Sequence, residues 1–194
     1  MGRRAFDVVV ASLGLLLTSP LIAIACAAIA IESPGSPLYR QRRVGKDGRE
    51  FDLYKLRTMV PDAERLGAGL AVDEGDPRIL KVGAPIRRAS LDELPNLVNV
   101  LKGDMSVIGP RPTVPSQVAK YDDRQRGRLT VKPGITGWAQ VNGRAALPWN
   151  ERIELDLWYV DHRSARLDVA IIGRTLRLLF SGEDLYRGDS GGWR

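Results

Sequence analysis

Residues 8–31 read VVVASLGLLLTSPLIAIACAAIAI, 24 consecutive positions without a charge. As one helix they would extend about 36 Å, enough to cross the hydrocarbon core of a bilayer. Two features complicate a simple crossing. Ser19-Pro20 falls at the middle, where proline removes a backbone donor and crowds the preceding turn, so a helix break is expected there. Both flanks are basic: Arg3 and Arg4 precede the run, and Arg40, Arg42, Arg43 and Lys46 follow it. Basic flanks stay cytoplasmic, so a broken helix with both ends on that side would be a re-entrant hairpin entering one leaflet. From the residues alone, a straight span and a secretory leader stay open. Ala23-Ile24-Ala25 could serve as a cleavage site, but the run is longer than a leader's apolar region and the remaining chain lacks an exported domain's cysteines.

Beyond this run the chain is basic and ordinary in size. Its 194 residues are 44% apolar and 27% charged, which excludes wholesale disorder. No second stretch is apolar enough to enter lipid, so a multi-pass membrane protein is excluded too. The net charge is +6, and 23 of the 29 basic residues are arginine. The planar guanidinium forks onto oxyanions, which points to phosphate or carboxylate partners; a GC-rich genome would give the same excess. Cys26 and His162 are each the single residue of their type, so a disulfide, a thiolate zinc site and the HExxH motif are all absent. No stretch is a phosphate-binding P-loop, and no nucleic-acid motif or basic tail is present. Catalysis would have to run mainly on carboxylates and arginines.

The rest of the chain reads as α+β, dominated by helix. ESPGSP at 32–37 is turn chemistry. Leu38–Val44 and Glu50–Arg57 have strand character and flank Asp47-Gly48, a good hairpin turn. Pro61–Leu70 is expected as a short helix and Ala71–Gly83 as a polar loop. Ser90-Leu91-Asp92-Glu93 matches a capping box, with Ser90 as N-cap of a helix that continues through Leu94, Leu97, Val98 and Leu101 to Gly103. Gly109-Pro110-Arg111-Pro112 is a rigid corner, Ser116–Leu129 an expected helix, and Lys132–Trp138 a second stiff loop. Helix resumes at Pro148, and Ser164 caps a last one. There Leu167, Ile171, Leu176 and Leu179 form a stripe among Arg166, Arg174 and Arg177, suited either to an anionic membrane surface or to core packing with snorkelling arginines. The tail from Gly188 is expected to be mobile.

Asp92 and Glu93 lead the candidates for chemistry. Carboxylates at a helix start sit near free backbone donors in a field that also favours bound phosphate. An ionised aspartate can attack phosphorus and form an acyl phosphate. The competing explanation is that Glu93 merely completes the capping box. Arg87 and Arg88 lie one turn before the cap, Lys55 and Arg57 end a strand, and two prolines fix the backbone of Arg111. Such immobilised cations suit a diphosphate, although each would also serve as a solvated surface charge.

Taken in order, these blocks resemble the bacterial sugar transferases, the monotopic polyprenyl-phosphate phosphoglycosyl transferases in their small form. The resemblance runs from Arg4 to about Phe180. It rests on the Ser19-Pro20 segment, YKLRTM at 54–59, SLDELP at 90–95, LKGDMS at 101–106, GPRP at 109–112 and KPGITGWAQVNGR at 132–144. Arg42–Gly45 and Leu56-Arg57 depart conservatively from common family spellings.

The resemblance implies a magnesium-dependent enzyme that moves a phosphosugar from a UDP-sugar to polyprenyl (undecaprenyl) phosphate and releases UMP. Such a step opens glycoconjugate or exopolysaccharide assembly. It implies Asp92 as nucleophile, Glu93 as metal-positioning or proton-transferring residue, and both as magnesium ligands. Lys55, Arg57, Arg87, Arg111 and Asp156 would bind substrate. The implied organisation is a re-entrant membrane segment at 1–34, broken at Ser19-Pro20, a catalytic domain at 35–187 on the cytoplasmic face of the bacterial membrane, and a tail at 188–194. The partners are then a UDP-sugar, polyprenyl phosphate and the lipid of one leaflet, without nucleic acid; a homodimer is compatible with the sequence. The alternative from another functional class is a non-catalytic, membrane-anchored, arginine-rich module that binds polyanions.

Overall fold

The computed structural model of the chain describes residues 2–66, 72, 75–143 and 147–181. The apolar run lies within α1 (Gly2–Glu32), which is long and apolar enough to cross a membrane. The helix continues through Ser19-Pro20 without the expected break. Proline's missing N–H would orphan the carbonyl of Leu16, and the Ser19 hydroxyl donates to that oxygen at 3.0 Å, which replaces the lost bond.

After α1 come β1 (Leu38–Val44) and β2 (Glu50–Leu56), then α2 (Gly83–Arg88) and α3 (Asn96–Lys102). β3 (Ser106–Ile108), α4 (Pro115–Val118), β4 (Gly134–Thr136), α5 (Trp138–Val141), α6 (Trp149–Asp161) and α7 (Ala165–Ser181) complete the order. β1 and β2 form the expected antiparallel hairpin, paired from Leu38 opposite Leu56 to Val44 opposite Glu50. Asp47 and Gly48 take the left-handed conformation in its turn. A second pairing was not legible in advance: β3 and β4 run parallel. Gly109 and Gly137 let the strand ends meet, because a Cβ on Gly137 would lie 2.1 Å from the Gly109 carbonyl oxygen.

α1 is built into this fold along its length. Ala11 joins Phe51, Leu53, Leu97, Val100 and Met105 in one core cluster, and Ala25 and Ile29 join Leu56, Leu80 and Ile86 in another. Between them Gly14 faces Leu97 so closely that a Cβ would lie 3.0 Å from its Cδ1. Arg4 donates to the carbonyls of Val100 and Leu101 at the C-terminal end of α3, and the Asp7 carboxylate accepts from Ser106 Oγ and Val107 N. At the other end the Glu32 carboxylate accepts from the N–H groups of Lys81 and Val82, just before α2. A cleaved leader fits this packing poorly, since its removal would open two core clusters. The remaining faces stay apolar and exposed, with Leu16 at 71% and Leu17 at 77%.

Three local expectations are corrected. The capping box does not form: Ser90 adopts φ 55° without a side-chain cap, Leu91–Glu93 is a single 3-10 turn, and α3 starts only at Asn96. The helix expected over 116–129 divides into α4 and a 3-10 segment, Gln125–Thr130, because the Asp122 carboxylate accepts from the N–H of Gln125 and starts a new turn. Within Pro61–Leu70 the described part holds only a 3-10 turn, Ala63–Arg65. Residues 71, 73 and 74 of the expected loop at 71–83, the residue Arg144 and the tail from Gly188 lie outside the described residues. In α7, capped by Ser164 as expected, the stripe divides: Ile171 is fully buried, whereas Leu176 and Leu179 are exposed.

Candidate active site

A cavity of about 370 Å³ opens where the 3-10 turn Leu91–Glu93, the Pro-Arg-Pro corner, α5, α6 and α7 converge. Lys55, Arg87, Asp92, Glu93, Arg111 and Asp156 line it, so six of the seven sequence-derived polar candidates meet in one place. Arg57 does not join them. Its guanidinium turns the other way and donates to the carbonyls of Ser33 and Pro34, both at 2.6 Å, fastening the chain that leaves α1.

The two adjacent carboxylates have opposite surroundings. Glu93, released from the capping role, accepts from Lys55 Nζ at 2.8 Å and from Arg111 Nη2 at 2.5 Å. Burial alone would raise its pKa, but Arg111 and Lys55 outweigh burial and hold the carboxyl well below the usual range. Asp92 is 8% exposed, and among the described residues no group hydrogen-bonds its carboxylate. Burial pushes this carboxyl up; Lys55 opposes that, Glu93 beside it adds to it, and Arg87 and Arg111 oppose it more weakly. One acid therefore favours its ionised form and is committed to two cations. The other is more basic and uncommitted. Such a separation assigns different roles to paired carboxylates.

Arg87, on α2, lies 3.4 Å from Thr58 Oγ1 and extends along the cavity wall. Asp156, on α6, is 2% exposed and pairs with Arg128 rather than facing solvent. Its burial pushes its pKa up to about 6 against the pull of Arg128. Among the described lining residues, Lys55, Arg87, Arg111, Arg128 and Arg152 stand against Asp92, Glu93 and Asp156, an excess of two positive charges. That excess suits a ligand carrying a diphosphate. The lining also includes the apolar residues Leu94, Leu97, Ile135, Val141 and Leu178.

Residues 1–182 match the family model for "Bacterial sugar transferase". The chain belongs to this family. Among curated proteins, an uncharacterized sugar transferase, EpsL, of Bacillus subtilis is 43% identical over 183 residues, covering 94% of this chain and 89% of that protein. A UDP-N-acetylgalactosamine-undecaprenyl-phosphate N-acetylgalactosaminephosphotransferase of Aeromonas hydrophila is 42% identical over 93% of the chain and 44% of its own length. The UDP-glucose:undecaprenyl-phosphate glucose-1-phosphate transferase of Escherichia coli is 40% identical over 90% and 39%. The chain thus spans nearly all of the Bacillus protein but less than half of the other two.

In this bacterial sugar transferase, sequence reading missed Arg128, Arg152, Trp149, Thr136, Gln140 and Thr175, all of which line the cavity. Arg128 and its neighbours Arg124 and Arg126 read as the polar face of a helix. Only the crossing of the 3-10 segment over α6 shows that Arg128 points inward, at 3% exposure. The Lys55–Glu93–Arg111 cluster likewise joins three parts of the chain that nothing in the spacing connects.

Proposed function

We propose that the chain is a phosphoglycosyl transferase that moves a phosphosugar from a UDP-sugar to polyprenyl (undecaprenyl) phosphate, giving a polyprenyl diphosphate sugar and UMP. The observation that carries this reading is the pairing of an uncommitted, buried Asp92 with a Glu93 held by two cations, inside a cavity whose charge balance calls for a diphosphate. Family membership and the undecaprenyl-phosphate transferases among the relatives support it.

In the first step an Asp92 oxygen attacks the phosphorus that bears the sugar. A phosphorus–oxygen bond forms to the carboxylate, the bond to the bridging oxygen breaks, and UMP leaves with that oxygen and its electron pair. In the second step a phosphate oxygen of the polyprenyl phosphate attacks the same phosphorus, and the aspartyl–phosphorus bond breaks to regenerate Asp92. Ionised Asp92 approaching a charged diphosphate needs its repulsion offset. Lys55, Arg87 and Arg111 are preorganised for this, and such electrostatic stabilisation dominates phosphoryl transfer. The low pKa of Glu93 makes it a poor base. Its geometry suits holding Lys55 and Arg111 in place.

The donor set also fits magnesium. Among the described residues no group of three acidic, histidine or cysteine side chains could form a closed metal site. Magnesium, however, needs only one or two carboxylates when substrate phosphates complete its shell. Asp92 offers oxygens without hydrogen-bond partners, whereas Glu93 would have to surrender a cation. Bound there, the ion would supply positive charge to the diphosphate.

For topology, both ends of α1 bond to the same domain, through Arg4 and Asp7 at one end and Glu32 at the other. This supports a monotopic arrangement in which α1 enters one leaflet, and the basic flanks of the apolar run support a cavity on the cytoplasmic side. The experiment is UMP release from a panel of UDP-sugars by purified protein in detergent. Release that requires both undecaprenyl phosphate and magnesium is expected. Salt-sensitive polyanion binding without UMP release would favour the non-catalytic module instead.

A further inference from the structure

The corner that carries Arg111 is anchored through its carbonyls. Pro110 and Pro112 have no N–H to donate. The Pro110 oxygen accepts from Gly134 N at 2.9 Å, the Pro112 oxygen from Arg43 Nη1 at 3.0 Å, and the Thr113 oxygen from Val44 N at 2.8 Å. The carbonyl of Arg111 itself accepts from Arg128 Nη2 at 2.9 Å. Four consecutive carbonyls are thus held by four different donors, and the one at Arg111 is held by a buried side chain.

Arg128 is in turn over-determined. Its Nη2 also reaches Asp156 Oδ2 and its Nη1 donates to the Tyr121 hydroxyl, while its Nε is buried without a hydrogen-bond partner. The guanidinium lies 5.6 Å from the ring centroids of both Tyr121 and Trp149. Both terminal nitrogens are engaged within the protein, although the side chain borders the cavity. Arg111, by contrast, is 46% exposed in its side chain, and among the described residues its guanidinium hydrogen-bonds only Glu93. Its aim therefore depends on its backbone.

We infer that Arg128, fixed by Asp156, is a positioning residue that acts on the transfer reaction through Arg111. Asp156 then serves as the counter-ion of Arg128 and not as a substrate ligand. A lysine at 128 would keep the charge beside Asp156, but its single nitrogen cannot reproduce the planar fork that reaches Asp156, Tyr121 and the Arg111 carbonyl together.

The inference rests on the transferase reading and is tested by a double-mutant cycle of Arg128→Lys and Arg111→Lys. The readouts are kcat/KM for the UDP-sugar and, independently of turnover, UDP affinity by calorimetry. Arg128→Lys is expected to lose about tenfold in kcat/KM on its own. In the Arg111→Lys background it is expected to cost no more than about twofold, because the group it positions is already gone. A purely architectural role for Arg128 predicts losses that multiply. Multiplying losses, or wild-type values for Arg128→Lys, would overturn the inference. If Arg128→Lys is not recovered folded, Tyr121→Phe replaces it; that variant removes one anchor of the guanidinium and keeps the ion pair, and the same outcomes decide. A wild-type chain that binds UDP without transferring sugar phosphate would refute the transferase reading alone, and the cycle would still be read on UDP affinity.

Discussion

Replacing Asp92 by asparagine should separate activity from stability in opposite directions. The change is nearly isosteric and removes the attacking oxygen's charge. Loss of a covalent nucleophile is expected to reduce kcat by at least about 10⁴-fold, equivalent to about 5.5 kcal/mol of barrier. Stability should rise. The folded-state pKa of Asp92 is raised by burial, so its contribution to stability is present below the unfolded pKa and is lost as pH rises through the folded one. Near neutral pH the ionised carboxylate is a cost, which its neighbour Glu93 increases and Lys55, Arg87 and Arg111 only partly offset. A neutral amide relieves it by about 1 kcal/mol, the scale found when strained active sites are neutralised. For a chain of this size that corresponds to about 2–4 °C in Tm. The assays are UMP release, intact mass after incubation with a UDP-sugar without acceptor, and thermal unfolding followed by tryptophan fluorescence. Wild type should gain the mass of a phosphosugar and Asp92→Asn should not. Turnover within tenfold of wild type would eliminate Asp92 as nucleophile. A lower Tm would show that Asp92 is a structural partner and that the balance of burial against cations has been misjudged.

Other residues give independent checks. Glu93→Gln leaves Lys55 and Arg111 facing each other without the intervening charge; it should cost about 2 kcal/mol, discounted for the exposure of Arg111, and raise KM for the donor. An unchanged Tm would show that the cluster is not preorganised. For Asp156, with its pKa raised from 3.8 to about 6, wild-type stability should fall as pH rises through that window. Asp156→Asn lacks this loss, so the stability difference should move in the variant's favour by up to about 3 kcal/mol between pH 4 and 7. A pH-independent difference in chemical denaturation would contradict the raised pKa. Arg57→Ala should lower Tm, by about 1–2 kcal/mol in stability, through the lost bonds to Ser33 and Pro34. It should leave KM for the UDP-sugar unchanged; a several-fold rise would return Arg57 to the substrate site.

The sequence alone carried the parts of this protein that depend on neighbours along the chain. An uncharged run of 24 residues reads as apolar helix, though with a break expected at Ser19-Pro20, Asp47-Gly48 has to turn a hairpin, and Pro148 and Ser164 mark helix starts through proline's fixed φ and the serine hydroxyl. The order of short motifs was enough to indicate the family. Local pattern also misled where tertiary bonds outweighed it. Ser90 and Glu93 have capping-box spacing, yet the partly buried ion pairs with Lys55 and Arg111 are worth more to Glu93 than one backbone N–H. Ser19 repairs the helix that Pro20 should have broken. Arg57 follows Lys55 by two residues, and strand alternation would put both on one face. The chain leaving α1, however, takes Arg57 for its own carbonyls. Which cations surround Asp92, which carboxylate is basic and which is locked, and how Arg128 reaches the backbone of Arg111 all depend on groups many residues apart. Pairing and burial energies of that kind exist only once the chain has brought them together, so only the tertiary structure decided them.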